Sequence, residues 1–162
     1  MKLLRTIRFD DSDTRVFPHA AEPGEWAVPG TFVFADSDPA QLDRRVRQAF
    51  ANGFLGLSTF GWSTLVAVAA VSDADYEQAV DALADHLQEA YGAPDRQAAR
   101  TAAREEIDYA VSLCEQPVNT LLSLSRFVEG DAIREQFRVV QPPGDKLHAK
   151  IWEIVPDDDG SA

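Results

Sequence analysis

Hydrophobic positions change their spacing along the chain, and each spacing predicts a different kind of element. Lys2–Phe9 places apolar residues on one face of an extended segment, which predicts a first strand. Thr31–Ala35 predicts a second, short strand. Leu65–Val71 is a continuous apolar run rich in valine, which is typical of a central strand covered on both faces. The chain therefore contributes at least three strands before its midpoint.

A helix is predicted between the second strand and the central one. Asp38 is a capping residue followed by Pro39, and a proline in the first turn lacks an N–H group that would be unpaired there anyway. Apolar residues then recur at helical spacing from Leu42 onward. The pair Asn52-Gly53 predicts a left-handed stop.

Two further helices are predicted in the middle of the chain, where they form a helical hairpin. The first begins after Ser72, which heads a sequence typical of a capping box, and ends at Gly92. The second begins after Pro94 and stops before Pro117, and its apolar stripe ends at Cys114. Many alanines in both helices favour close packing.

The C-terminal third changes to alternating, β-branched and aromatic segments. Leu121–Glu129, Ile133–Gln141 and Leu147–Val155 are separated by turn sequences that contain glycine or proline. This pattern predicts an antiparallel three-strand β-meander.

Together these elements predict an α+β fold. We expect an antiparallel or mixed sheet with an N-terminal helix, a central helical hairpin and a C-terminal three-strand β-meander. No repeat or linker divides the chain, so residues 1–156 are expected to form a single domain. Residues 157–162 are acidic and small, and we expect them to form a flexible tail.

The charge of the chain limits its partners. Fifteen basic and 27 acidic residues give a formal net charge of −12, which would repel phosphate backbones and anionic membranes. We therefore expect no nucleic acid or membrane partner. The uncharged stretch Gly53–Ser72 contains several glycines and hydroxyl residues, so it is interpreted as core. One cysteine and no export signal indicate a cytoplasmic protein.

No catalytic or metal-binding set stands out. Cys114 lies on an apolar helix stripe near Glu115 and a helix C-terminus, which favours a structural thiol over a nucleophile. His19, His86 and His148 are far apart and match no ligand spacing. The two acidic runs of the chain do not complete a calcium loop. We therefore expect no catalytic residue, metal or cofactor.

The most distinctive run is Gly53–Thr64, which combines small residues with hydroxyl groups and aromatic rings. Its small residues allow close backbone approach, and Ser58, Thr59, Trp62 and Ser63 offer contacts for a polar ligand. The run matches neither a phosphate loop nor a dinucleotide fingerprint. The alternative is a tight turn or bulge between two strands, with its aromatic residues packed in the core.

Arginines are concentrated in the first two strands of the predicted meander. Arg126 and Arg134, with Arg138, form a local exception in an acidic chain. This patch could hold a carboxylate of a ligand or an acidic protein partner. Pairing with Glu129, Glu135 and Glu153 across the strands explains it equally well.

The segments Lys2–Phe9 and Trp62–Ser72 and the meander together resemble a small, functionally uncharacterised bacterial family, a domain of unknown function. The genes associated with such families lie near genes for proteins that resemble biotin or lipoate ligases and molybdoenzyme maturation proteins. The resemblance thus implies an accessory role beside a cytosolic enzyme or its maturation. It implies no catalytic residue.

Two functional hypotheses follow from the sequence. The first is a non-catalytic accessory or protein-interaction domain that presents a sheet face or edge, with the meander as its surface. The alternative is a small-molecule-binding protein or small enzyme with a pocket near Gly53–Thr64. A homodimer whose interface completes such a site is a third arrangement.

Overall fold

Seven strands form one antiparallel sheet. The computed structural model describes residues 1–140 and two short paired strands, β8 and β9 (Asp157–Asp158 and Gly160–Ser161). The seven strands are β1 (Lys2–Ile7), β2 (Trp26–Val28), β3 (Phe54–Gly56), β4 (Trp62–Ser63), β5 (Leu65–Ala70), β6 (Leu121–Glu129) and β7 (Ala132–Val140). They lie in the order β4-β3-β2-β1-β5-β6-β7, so β7 is the outermost strand on one side of the described sheet.

Four α-helices and two 3₁₀ helices accompany the sheet within the described residues. The α-helices are α1 (Ser12–Val16), α2 (Arg44–Asn52), α3 (Asp73–Ala90) and α4 (Arg96–Ser112). The 3₁₀ helices are Thr31–Phe34 and Pro39–Gln41. The structure therefore confirms an α+β fold, with more helices than the sequence predicts.

Helices α3 and α4 form the predicted hairpin. The Ser72 side chain accepts a hydrogen bond from the Asp75 N–H at 3.0 Å, which confirms the predicted cap of α3. Arginines on α4 pair with acidic residues on α3 along the exposed side of the hairpin: Arg96, Arg100 and Arg104 with Glu77, Asp81 and Asp85. Helix α4 in turn packs against β1 and β2. Burial of alanine stripes on both helices permits this close approach.

The strand register defines which residues share a face of the sheet. Val66 on β5 lies opposite Leu122 on β6, so these residues and their alternate neighbours share one face. That face is buried and supplies Leu4, Val68 and Leu124 to the core. The other face of the β6–β7 hairpin includes six residues, Ser123, Ser125, Phe127, Arg134, Gln136 and Arg138, which we call the outer face.

Three predictions about local structure need correction. Thr31–Ala35 is not a strand: Gly30 adopts a positive φ of 82°, and the following residues close 3₁₀ hydrogen bonds instead of pairing with a strand. The N-terminal helix begins at Arg44 and not after Asp38, because Asp43 is its cap and Asp38 caps a separate 3₁₀ turn.

The third correction concerns the end of that helix. Gly53 has a φ of −93° and leads straight into β3, so the predicted left-handed stop is wrong. A side chain is still excluded there, since a Cβ atom at Gly53 would lie 2.9 Å from the Ala49 carbonyl oxygen.

The predicted meander is present in part. Its first strand matches β6, and its second, predicted at Ile133–Gln141, is β7. The third predicted strand, Leu147–Val155, lies outside the described residues. In the part of the chain that is described, no helix has the length and apolar character needed to cross a membrane.

Candidate functional site

Ser58 and Thr59 are organised around a buried carboxylate. The N–H groups of both residues donate to Glu25 Oε1 at 2.9 Å, and the Thr59 hydroxyl donates to Glu25 Oε2 at 2.6 Å. The Glu22 N–H donates to the same carboxylate at 2.6 Å. A buried acceptor with four donors is fully satisfied and holds the turn between β3 and β4 in one shape.

The same turn requires glycine at two positions for lack of space. A Cβ atom on Gly56 would lie 2.5 Å from Glu25 Oε1, and one on Gly61 would lie 2.6 Å from the Ala20 carbonyl group. Phe60 between them has a positive φ of 59°, a conformation that is rare for an aromatic residue. The structure thus shows the strand, turn and strand that were weighed against a ligand loop.

Ser63 and its neighbour Thr64 are also occupied by internal contacts. The Ser63 hydroxyl lies 2.7 Å from the Leu65 carbonyl oxygen and 3.3 Å from that of Ile7. The Thr64 hydroxyl donates to the buried Asp13 carboxylate at 2.6 Å. Since Ser63 follows Trp62 in β4, the two side chains point to opposite faces of the sheet.

Trp62 and Arg126 do come together, far apart as they are in sequence. The Arg126 guanidinium carbon lies 5.9 Å from the centre of the Trp62 ring and 5.5 Å from that of Phe34. Both distances are within the range of cation–π attraction. The Arg126 side chain is fully buried, so this contact belongs to the core.

Arg126 joins three separate parts of the backbone. Its Nη1 atom donates to the carbonyl oxygens of Ala49 and Phe50 at the end of α2, at 3.2 and 2.9 Å. Nη2 donates to the carbonyl oxygen of Pro29, and Nε donates to the Thr31 hydroxyl at 2.7 Å. Burial lowers the pKa of Arg126 to about 10, which still leaves the guanidinium charged at neutral pH.

A chain of hydrogen bonds continues from Arg126 to helix α4. Thr31 donates to Glu135 Oε2, and the Tyr109 hydroxyl donates to Glu135 Oε1 at 2.8 Å. Burial, with the contact to Glu135, raises the pKa of Tyr109 to about 12. Burial and the charge of Glu135 also raise the pKa of Glu106. We call Arg126, Thr31, Glu135, Tyr109 and Glu106 the arginine network.

Perturbed groups of this kind can mark a functional site or a structural ion-pair network. A groove of about 750 Å³ lies between α2 and the β6–β7 hairpin, and Phe50, Arg126 and Phe127 contribute to its walls. The Nε, Nη1 and Nη2 atoms of Arg126 donate hydrogen bonds to backbone carbonyl oxygens and to the Thr31 hydroxyl. The network therefore ties α2, α4 and the hairpin together.

Arg134 differs from Arg126 in every respect. Its side chain is 61% exposed and pairs with Glu129 at 3.0 Å, also at the surface. It lies on the outer face with Arg138, while Phe127, Val128 and Val139 expose apolar surface on the same hairpin. Of the six candidate residues, Trp62 and Arg126 meet in the core, Ser58 and Thr59 meet in the turn, and Ser63 and Arg134 lie elsewhere.

The Cys114 thiol and the possible metal ligands were the remaining candidates among the described residues. Burial raises the pKa of the Cys114 thiol to about 11, which opposes formation of a thiolate. No group of three His, Cys, Asp or Glu side chains within residues 1–140 could hold a metal ion. Binding of a ligand by the six candidate residues stays a prediction.

The acidic residues that accept hydrogen bonds from these hydroxyl groups were not among the residues predicted from the sequence. Glu25 and Asp13 are buried carboxylates that accept hydrogen bonds from the Thr59 and Thr64 hydroxyls. Asp13 belongs to an acidic run weighed only as a turn or a calcium loop, and Glu25 lies in a segment interpreted as irregular. Glu135 was considered only as a partner of arginine. No local signal marks such residues, because their partners lie 34 to 51 positions away. Glu135 is the exception, because it alternates with Ile133 and Phe137 on one face of β7, and this spacing places its side chain on the inner face.

Comparison with known proteins supplies a family. A family model described as a family of unknown function (DUF6505) matches residues 1–154, which include every strand from β1 to β7. No curated protein and no solved structure matches the chain. The expected membership of a family without a known function is thereby confirmed: the chain belongs to the family of unknown function DUF6505.

Proposed function

We propose that this protein is a non-catalytic interaction domain that binds a protein partner through the β6–β7 hairpin. The observation that carries the proposal is the position of β7 at one end of the described sheet, together with exposed Phe127, Val128 and Val139 on the same hairpin. These three side chains are 40%, 48% and 46% exposed. Phe127 lies on the outer face, whereas Val128 and Val139 lie on the opposite face, so the hairpin exposes apolar groups on both of its faces, which favours a contact with another protein.

The rest of the molecule supports a binding role over a catalytic one. Glu25, Asp13 and Arg126 are each held by several hydrogen bonds, so they act as supports for turns and helix ends. Cys114 is buried and its thiol is held in the protonated form. We further propose a cytoplasmic location and an accessory role beside an enzyme, as the sequence resemblance implies.

Site-specific photo-crosslinking tests the proposal. A photoreactive amino acid is placed at Phe127 or Val139 on the hairpin and, as a control, at Thr101 on the exposed side of α4. In native cell extract, we expect both hairpin positions to give the same crosslinked species and the α4 position to give none. Equal products from all three positions, or none from the hairpin, would contradict the proposal.

A variant pair then separates binding from folding. With the photoreactive amino acid at position 127, Val128→Ser with Val139→Ser should abolish the crosslink while leaving the melting temperature within a few degrees, because exposed positions contribute little to stability. Val16→Ser is the matched control, since Val16 is also exposed, at 37%, but lies on α1. Loss of the crosslink in the control variant as well would exclude a specific role of the hairpin.

A further inference from the structure

We infer that the partner offers an extended acidic segment, which adds to the edge of β7 as a further strand with two carboxylates four residues apart, facing Arg134 and Arg138. This inference rests on the proposed function and adds the chemistry of the partner to it. It is carried by the edge geometry of β7, by the charges of the outer face and by the conflict that arises when two copies of β7 pair.

The backbone of β7 provides the first step. The strand is nine residues long and regular, and within the described sheet it pairs with β6 alone. An edge strand presents a row of N–H and C=O groups that a second extended chain can match. Such backbone pairing supplies affinity without requiring a preformed pocket.

Charge provides the second step. Arg134 and Arg138 lie on the outer face, separated by Gln136, and all three are exposed. In a strand, residues four apart lie on one face about 13 Å from each other. Glu129 pairs with Arg134, but both side chains are more than half exposed, so this pair is weak and a partner can replace it. The whole chain carries −12, which makes this cationic pair a local exception.

The inner face of β7 specifies the alternate positions of the partner. Ile133 and Phe137 are half-buried there on either side of Glu135. Side chains of an added strand alternate between the two faces. Of the inward-facing residues of the added strand, the one opposite Phe137 lies between the two carboxylates and the one opposite Ile133 lies outside them. An apolar or β-branched side chain is therefore favoured opposite Phe137.

A second copy of this chain is a poorer occupant of the same edge. If two β7 strands paired symmetrically over their full length, Gln136 would lie on the axis and Arg134 would face Arg138 of the other copy. Like charges directly opposite each other destabilise a pair of strands. An acidic strand replaces this repulsion by attraction, as complementary interfaces do.

Two synthetic peptides of equal composition test the inference on the full-length protein. The first, Ser-Glu-Val-Thr-Val-Glu-Ser, places both carboxylates on one face of a strand. The second, Ser-Glu-Val-Thr-Glu-Val-Ser, turns one carboxylate to the other face. We expect the first to bind about fivefold more tightly in fluorescence anisotropy, the value of one surface ion pair of about 1 kcal/mol. We also expect it to slow amide hydrogen exchange in β7.

Charge reversal supplies the matched controls. Arg134→Glu with Arg138→Glu should lose binding of the first peptide and gain binding of its lysine counterpart, in which both glutamates are replaced. Arg15→Glu with Arg44→Glu changes the net charge equally at exposed positions outside the hairpin, and should leave binding unchanged. A loss of equal size in both variants would show a nonspecific charge effect and overturn the inference.

Three other outcomes also count against the acidic strand. Equal affinity of the two peptides would exclude the spacing, and a concentration-dependent dimer with protected β7 amides would identify a second copy as the occupant. Protection of β7 without any peptide, together with no peptide binding, would show that residues 141–156 of the chain occupy the edge. In each case the crosslinking experiment decides separately whether the hairpin binds a partner, so failure of the inference is distinguishable from failure of the proposed function.

Discussion

Arg126 shows how a single buried charge can organise a fold at the residue scale. On the buried face of β6, Arg126 follows Leu122 and Leu124, at a position where a third leucine would be expected. Its donors reach two carbonyl groups in the last turn of α2, where helix carbonyls commonly lack partners; that of Ala49 also accepts from the Gly53 N–H. The same guanidinium contacts Phe34 and Trp62, so its apolar surroundings are also used.

Replacing this side chain is expected to be costly. Arg126→Leu would remove the guanidinium donors from the carbonyl oxygens of Phe50 and Pro29 in a buried environment, while the Ala49 carbonyl oxygen would keep only the Gly53 N–H as its donor. We expect the free energy of unfolding to fall by about 3 to 5 kcal/mol, as when one partner of a buried charged network is removed. Urea denaturation measures this change.

The matched control is Arg134→Leu on the neighbouring strand. Because Arg134 is exposed and weakly paired, this substitution should change the free energy of unfolding by no more than about 0.5 kcal/mol. Similar losses in both variants would mean that Arg126 has no special structural role.

At the scale of elements, the turn between β3 and β4 illustrates a loop defined by packing. Glu25 reaches it from β2's N-terminal side and binds the N–H groups of Ser58 and Thr59. A Cβ atom on Gly61 would lie 2.6 Å from the Ala20 carbonyl group. This close contact lies next to an isolated bridge between Ala20 and Trp62. The turn is thus held from two sides, by the Glu25 carboxylate and by the backbone at Ala20, both distant in sequence.

Two glycine substitutions separate lack of space from backbone conformation. Gly61→Ala forces a methyl group against rigid backbone, and we expect a loss of about 3 kcal/mol in the free energy of unfolding. Gly92→Ala meets nothing within 4 Å but retains a φ of +78°, so the loss should be about 1 kcal/mol. Denaturant titration of both variants checks the order, and the reverse order would contradict the proposed close contact.

For the whole molecule, acidic side chains occupy two kinds of environment, one that lowers the pKa of a carboxyl group and one that raises it. On the exposed side of α3, acidic residues face the arginines of α4, and the Arg104 and Arg100 side chains lower the pKa of Glu77. In the arginine network the opposite holds, since burial and the charges of Glu135 and Glu105 raise the pKa of Glu106. The two settings make opposite contributions to the pH dependence of stability.

The contribution of Glu106 has a definite sign. A carboxyl group whose pKa is raised by folding stabilises the folded state when protonated, and this contribution is lost as the pH rises through the raised pKa. Glu106→Gln should therefore have a higher free energy of unfolding than the parent protein at pH 7, and the difference should vanish below the ordinary value of 4.5. Denaturation at a series of pH values measures both limits.

Glu89→Gln on the exposed side of α3 serves as the control for the charge change. It removes one exposed negative charge and should change the free energy of unfolding at pH 7 by no more than about 0.5 kcal/mol. A destabilised Glu106→Gln variant at pH 7 would instead show that the carboxylate makes a favourable contact there.

The sequence by itself determined the elements whose signals are local. The cap at Ser72 and the apolar periodicity of α3 and α4 predicted the helical hairpin, and strict alternation predicted β6 and β7 within one residue. These signals succeed because capping, helical spacing and strand alternation each depend on neighbours only a few positions away. The central position of β5 followed in the same way from its continuous apolar run.

The tertiary structure alone decided how distant polar groups are used. Thr31–Ala35 has the composition of a strand, yet Gly30 turns the chain and Thr31 joins Arg126 and Glu135 across 95 and 104 positions. Ser58 and Thr59 offer the same hydroxyls to a ligand or to a carboxylate, and only folding brings Glu25 to them. Hydrogen bonds of this kind depend on which distant segments the fold brings together. Local patterns predict the elements and their buried faces, and they do not predict the partner of a polar side chain.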